Sequence, residues 1–366
     1  MSWRNRALGA LAIAGVGAVA GRVAVKRSAK TVRERSDPRL DGLYDLPDDV
    51  VHHEIPSADG GMIHAIEKGE GRPLLLVHGI TLQSSVWAPQ FQQLTDRFRV
   101  IAIDVRGHGR SRAGSDKLGR APAARDIATV LEHFDLCHAI VVGHSMGGMI
   151  TMVFAGNHAD VLNERVDGLV FMDTAVNAVL PPGTGRFLGS VGGRAVRRLE
   201  SGRRVPNFQA TDNDTSLLFA RMAFGADPPA KAVEQVRKFL EEVPQTTSLP
   251  SGVDLALHDA RPALRATKTP SLVLVGSRDL LTPVFAAKRI KNALPNARLV
   301  VLPRAGHQLM QERPFEVAAL LDEFAAELPP YEAVPPASTA GATAARAEGN
   351  GSVDAGAAGN GQRHGA

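Results

Sequence analysis

Ile140-Val141-Val142-Gly143-His144-Ser145-Met146-Gly147-Gly148-Met149-Ile150 is the stretch that decides the fold. A run apolar on both faces passes at once into a Gly-x-Ser-x-Gly turn, and a second apolar run with helical character starts near Met146. A strand that turns this sharply into a helix forces strained angles on Ser145 and crowds its neighbours. Glycine is therefore needed two residues before it, at Gly143, and two after it, at Gly147. The same turn lifts the Ser145 hydroxyl from the sheet edge and aims a helix N-terminus, with its unpaired amides, at the site. In a chain with 36 glycines the five-residue motif alone says little. Its position between strand and helix carries the argument.

Working outward, short β-branched runs alternate with longer amphipathic stretches between about residues 50 and 328. His53–Ile55 and Met62–Ile66 read as an opening antiparallel pair, turned by Asp59-Gly60-Gly61. Leu74–Val77, Val100–Ile103, Ile140–Val142, Leu169–Met172, Leu272–Val275 and Leu299–Leu302 are apolar on both faces, as expected of parallel strands covered by helices. Trp87–Phe98, Pro122–Phe134, Met146–His158, Pro283–Leu294 and Pro314–Leu328 supply the helices, with proline where a missing N–H is harmless. The pattern predicts an α/β fold: a doubly wound, mostly parallel sheet of about eight strands. Between about Val176 and Leu264 no strand-like run occurs, only helical stretches such as Thr215–Phe224 and Lys231–Val243. The core is thus expected at 50–175 and 265–328, with a helical lid at 176–264 inserted after the sixth strand.

A serine hydroxyl becomes a useful nucleophile only when a base takes its proton. Among 12 histidines, His307 is singled out because Ala305-Gly306-His307 directly follows the last strand, on the same sheet edge as Ser145. A carboxylate must then fix the imidazole and stabilise its charged form. Asp279, in Gly276-Ser277-Arg278-Asp279, and Asp173, in Phe171-Met172-Asp173-Thr174, both end strands. Asp279 is preferred, and Ser145, Asp279, His307 follow the chain order expected of such a sheet. Asp173 remains the competitor, its other reading being a cap where the lid begins. Backbone amides must receive a developing oxyanion. Met146 N–H is one donor, and the second is expected from His78-Gly79-Ile80-Thr81, with Ile80 favoured over Thr81 and Gly79 allowing close approach.

Leu75-Leu76-Val77-His78-Gly79, Asp104-Val105-Arg106-Gly107-His108-Gly109-Arg110-Ser111, Gly143-His144-Ser145-Met146-Gly147-Gly148 and the Asp279 and His307 segments, in this order, resemble the α/β-hydrolase superfamily. The resemblance covers roughly residues 50–328 and implies a serine hydrolase of the esterase and lipase branch, with a Ser-His-Asp triad and no metal or cofactor. In it, His78 and the 104–111 turn match signatures that shape the site. The epoxide hydrolases and haloalkane dehalogenases of this fold carry Asp at the nucleophile position, so Ser145 points to acyl transfer or C–C bond hydrolysis instead. Cleavage of a carboxylic ester is the reading taken forward. C–C hydrolase, amidase, thioesterase, cofactor-free haloperoxidase and a non-hydrolytic ligand-binding member stay open.

Composition bounds the partners. The chain has 366 residues, 44% hydrophobic and 22% charged, within the ordinary globular range. The net charge is +4, and six cations fall between Arg22 and Arg35. No basic stripe with interleaved aromatics occurs elsewhere, so no nucleic-acid partner is expected. The single cysteine, Cys137, excludes an intramolecular disulfide. At the N-terminus, Ala7–Gly21 is an apolar run of 15 residues followed by the basic cluster. It is short for a spanning helix, and Ala18-Val19-Ala20 resembles a cleavage site. The dense charge behind it favours retention, so residues 1–36 are read as a membrane-associating arm acting through 7–35, with a cleaved signal or a soluble arm as alternatives. The Ala/Gly-rich tail at 333–366 is expected to be disordered. In the lid, Leu217, Leu218, Phe219, Met222 and Phe224 either line an acyl pocket or pack the lid down, the latter preferred. Arg186, Arg194, Arg197, Arg198, Arg203 and Arg204 read first as a solvated face, and second as a surface for anionic lipid. The expected partner is a small-molecule or lipid-like acyl substrate.

Overall fold

The computed structural model describes residues 23–40, 42–179, 184–203, 211–294 and 296–331. The apolar run Ala7–Gly21 and the tail at 333–366 lie outside the described residues, as do the side chain of Arg186 and the whole of Arg204. Eight strands form one sheet in the order β1-β2-β4-β3-β5-β6-β7-β8. They are β1 (Val51–Pro56), β2 (Met62–Lys68), β3 (Arg72–Val77), β4 (Phe98–Ile103), β5 (Ala139–His144), β6 (Val166–Met172), β7 (Ser271–Gly276) and β8 (Ala297–Leu302). β2 is antiparallel to both β1 and β4, and every other pairing is parallel. The opening pair is antiparallel, as expected, with His53 opposite Ala65 and Ile55 opposite Ile63.

The period of two along each strand divides the core into two layers. Leu74, Leu76, Ile140, Val142, Val170, Met172, Leu272 and Leu274 face one layer. Leu75, Val77, Val141, Leu169, Phe171, Val273 and Val275 face the other. Each side chain removed from water contributes roughly 1.5–3 kcal/mol, so a strand buried on both faces gains twice per dipeptide.

Helices cover both layers. On the first face lie α2 (Ala88–Leu94), α12 (Leu309–Glu312) and α13 (Pro314–Glu327), through Phe91, Leu94, Met310, Leu321 and Phe324. On the second lie α3 (Arg120–His133), α4 (Met146–Asn157) and α11 (Val284–Ala293), with α5 (Ala159–Arg165) at the edge. The long helix expected over Trp87–Phe98 is shorter: a 3-10 turn at Ser84–Trp87 leads into α2, which stops at Leu94 because Phe98 already belongs to β4. Pro122 is the third residue of α3 rather than its first, still in the turn where no N–H is missed.

Between β6 and β7 the chain forms α6 (Thr184–Glu200), α7 (Asp214–Arg221), α8 (Ala230–Glu242), α9 (Gln245–Ala256) and α10 (Arg261–Ala266). α6 lies along α9, where Gly189 and Gly192 face Leu257 and Val253. α7 and α8 place Leu217, Val233, Val236 and Phe239 in the first core layer. The arm behaves differently from its charge pattern. Residues 23–33 form a helix, α1, whose Ala29 and Val32 are buried in the same layer. Arg33 pairs with Asp214 at 2.7 Å, Arg35 donates to Ala226 O at 2.9 Å, and Ala230 N donates to Arg35 O at 2.9 Å. Two of the arm's cations are therefore engaged with the body. No helix among the described residues is long and apolar enough to cross a membrane.

At the end of β4, the buried Asp104 organises two turns: its carboxylate accepts Ser84 N at 2.6 Å and Arg110 N at 2.9 Å, and lies 2.8 Å from His64 Nδ1. Burial opposes its ionisation, but the His64 hydrogen bond and the two amides outweigh burial and hold the carboxyl at about 2. A carboxyl depressed by folding stabilises above its unfolded value and loses that contribution as pH falls through the folded one. We expect about 2 kcal/mol to disappear between pH 4 and pH 2 on this account. The Asp104→Asn variant should melt lower at pH 7 and show a flatter decline in that window. An unchanged slope in acid-titrated thermal melts would contradict this.

Candidate active site

Ser145 joins β5 to α4 with φ 53° and ψ −117°, a conformation costing on the order of 1–3 kcal/mol for a residue other than glycine. Its surroundings impose it. Ser145 N donates to Met172 O at 3.0 Å, and Ser145 O accepts from Met149 N at 3.1 Å and Thr174 Oγ1 at 2.7 Å. The helix leaves the turn so close to β3 that a Cβ on Gly147 would stand 2.2 Å from Val77 O. Gly143 meets the Gly147–Gly148 backbone in the same way.

From β8 the chain returns to this point. His307 Nε2 lies 2.9 Å from Ser145 Oγ, and His307 Nδ1 lies 2.9 Å from Asp279 Oδ2. All three residues are buried, at 7% exposure or less. Asp279 turns back on its own chain, accepting Leu281 N at 2.8 Å, Thr282 N at 2.9 Å and Thr282 Oγ1 at 2.6 Å. Burial alone would raise this carboxyl, but the charge and hydrogen bond of His307, with the Thr282 bonds, outweigh it and hold Asp279 below the usual carboxylate range. An ionised Asp279 accepts a hydrogen bond from Nδ1–H, which leaves Nε2 as an acceptor facing the Ser145 hydroxyl.

Asp173 takes another place. Its Oδ1 accepts Gly276 N at 3.0 Å and its Oδ2 accepts Leu309 N at 3.2 Å, tying β7 to the turn after His307. Complete burial, reinforced by the nearby Asp279 charge, pushes its carboxyl well above the usual range. Of the two acids weighed from sequence, Asp279 is the one in contact with the imidazole.

Gly79 packs directly against this group: a Cβ there would lie 2.9 Å from His144 Nδ1 and 3.0 Å from Ser145 Cβ. His78 fixes the adjoining peptide. Its Nδ1 donates to Gly79 O at 2.7 Å while its Nε2 accepts Val105 N at 2.9 Å. Because Gly79 O and Ile80 N belong to one planar peptide, this bond sets the direction of the Ile80 amide. Burial pushes His78 down, favouring the neutral ring that this donor-acceptor pattern requires. Among the described residues, no acceptor takes the Ile80 or Met146 amide hydrogen. Met146 is the first residue of α4, where an unpaired N–H is expected.

Four contributors had no role assigned from sequence. Thr174 and Thr282 hold Ser145 and Asp279 as described. His144 Nε2 donates to His307 O at 2.7 Å, with the ring pushed by burial to about 3 and hence neutral. Glu312 binds the amides around His307. Only Asp279-Leu280-Leu281-Thr282 carries a local signal, an Asx-type turn. The lid residues divide: Leu217 and Phe224 are buried, whereas Phe219 and Met222 are 62% and 61% exposed. Leu280 and Leu281, next to Asp279 in the chain, and Phe285 on α11 are exposed as well. Among the described residues no group of three or more His, Cys, Asp or Glu converges as a metal site would.

The sequence profile of the alpha/beta hydrolase fold matches residues 72–314. The chain is 30% identical over 279 residues to the pimeloyl-(acyl-carrier protein) methyl ester esterase of Stenotrophomonas maltophilia, covering 74% of this chain and 99% of that one. It is 28% identical over 254 residues to the 2-(acetamidomethylene)succinate hydrolase of Mesorhizobium japonicum, covering 68% and 86%. A thermophilic esterase from Thermogutta terrifontis superposes with a TM-score of 0.64 at 26% identity, covering 76% of this chain and 98% of that one. The chain belongs to the α/β-hydrolase family.

Proposed function

We propose that this protein is a serine hydrolase that cleaves a carboxylic ester through an acyl-enzyme, with Ser145, His307 and Asp279 as its triad. The observation that carries the reading is the continuous chain Asp279 Oδ2, His307 Nδ1, His307 Nε2, Ser145 Oγ, each contact 2.9 Å. His307 Nε2 takes the hydroxyl proton as Ser145 Oγ attacks the acyl carbonyl. The tetrahedral oxyanion is received by the Ile80 and Met146 amides, preorganised by His78 and by the start of α4. His307 then gives its proton to the leaving alcohol, and water releases the acid by the reverse sequence. Ester cleavage is favoured because two of the relatives above are named esterases. The exposed Phe219, Met222, Leu280, Leu281 and Phe285 near the Asp279 and His307 segments favour an apolar acyl or alcohol group.

Two sets of variants test this. In a chain-length series of p-nitrophenyl esters, Ser145→Ala should lose about 10³-fold or more in kcat with its melting temperature preserved. Retained turnover in that variant would rule the nucleophile out. The two acids should separate as well: Asp279→Asn should lower kcat by about 10³- to 10⁴-fold through the wrong imidazole tautomer. Asp173→Asn should act mainly on thermal stability, with kcat within about tenfold of wild type because the Asp279 contact survives. The opposite ranking would exchange their roles.

A further inference from the structure

The peptide of His307 is held from more sides than its side chain. Its N–H donates to Ala223 O at 2.8 Å, and its carbonyl accepts His144 Nε2 at 2.7 Å. The amides on either side of it both go to one carboxylate: Glu312 Oε1 accepts Gly306 N at 2.8 Å and Gln308 N at 3.4 Å. The second oxygen, Glu312 Oε2, accepts Gly225 N at 2.7 Å from the turn that follows α7. That turn runs beside the His307 loop, with Ala226 N donating to Arg304 O at 2.9 Å. Glu312 is 5% exposed and forms no ion pair with a cation among the described residues. A buried carboxylate without a cation is costly and relies on hydrogen bonds to offset its burial, and here three amides from two separate segments supply them.

We propose that Glu312 is a positioning residue for His307, clamping the imidazole-bearing loop to the turn after α7 so that Nε2 stays within reach of Ser145 Oγ. This rests on the hydrolase reading above, since positioning has meaning only where His307 acts as the base. The carboxylate is not itself in contact with the reacting atoms. A glutamine keeps the size of Glu312 but offers one acceptor oxygen, so one of the two segments loses its anchor and faces an NH2 donor instead. Displacing a catalytic group by about 1 Å costs on the order of 100-fold in rate.

The experiment counts competent sites first and measures their speed second. Full-length wild type, Glu312→Gln and Glu312→Ala are titrated to completion with a fluorophosphonate. The kcat and KM for a p-nitrophenyl ester are then expressed per labelled site. Positioning predicts that per-site kcat falls about 10- to 100-fold in Glu312→Gln, with KM within about threefold, and further in Glu312→Ala. A purely structural carboxylate would instead lower the melting temperature or the number of labelled sites, leaving per-site kcat within about twofold of wild type in Glu312→Gln. That result overturns the assignment while leaving the hydrolase reading intact. A wild type that neither labels nor turns over removes the hydrolase reading and this assignment with it.

Discussion

The close passage of α4 over the end of β3 is the constraint on which the rest depends. Val77 O leaves no room for any side chain at position 147, so the chain must turn from strand to helix within one residue. Ser145 absorbs that turn in backbone angles few residues adopt. The consequence is chemical as well as geometric. The hydroxyl stands at the carboxyl edge of the sheet, the Met146 amide is left without a helical partner, and Gly79, just after β3, packs against Ser145 and His144. Strain at Ser145 is offset by its backbone bonds with Met172, Met149 and Thr174, so the turn is held by the protein's own contacts.

Around this turn, three buried carboxyls have different electrostatic fates. Asp279 lies against an imidazole, a hydroxyl and two amides, and remains ionised. Asp173, wholly buried with only two amides and with Asp279 close by, is pushed well above the ordinary range. Glu312 is also raised by burial, and its three amides only partly oppose this. Of the three, only Asp279 lies against His307 and is held below the ordinary range. His144, His78 and His108 are all driven toward the neutral form by burial. In this way His144 and His78 can serve as hydrogen-bonded struts rather than as charges.

What the sequence disclosed and what it concealed follow from range. Strands such as Leu74–Val77 and Leu272–Val275 were legible because burial on both faces leaves an unbroken apolar run. The turn at Ser145 was legible because its steric demand falls on adjacent residues. Asp279 and Asp173 ended neighbouring strands and both lie between Ser145 and His307 in the chain, so order alone could not rank them; the contact with His307 depends on how the β7 and β8 loops fold back. His144 and Glu312 escaped notice because their partners are either 163 residues away or backbone amides, which leave no mark on side-chain identity. In the arm the cations dominate the composition, whereas it is two small apolar residues a turn apart, Ala29 and Val32, that dock α1. Phe219 and Phe224, alike in sequence, lie on opposite sides of one turn, one open to solvent and one in the core.

The central claim is that Ser145 carries the acyl group in transit. Rapid mixing with p-nitrophenyl acetate, acid quenching and peptide mass spectrometry tests it most directly. The account predicts an acetyl group on the peptide containing Ser145, formed within the burst of nitrophenol release and absent when His307 is replaced by alanine. Turnover without that adduct, or an adduct on another residue, would contradict it.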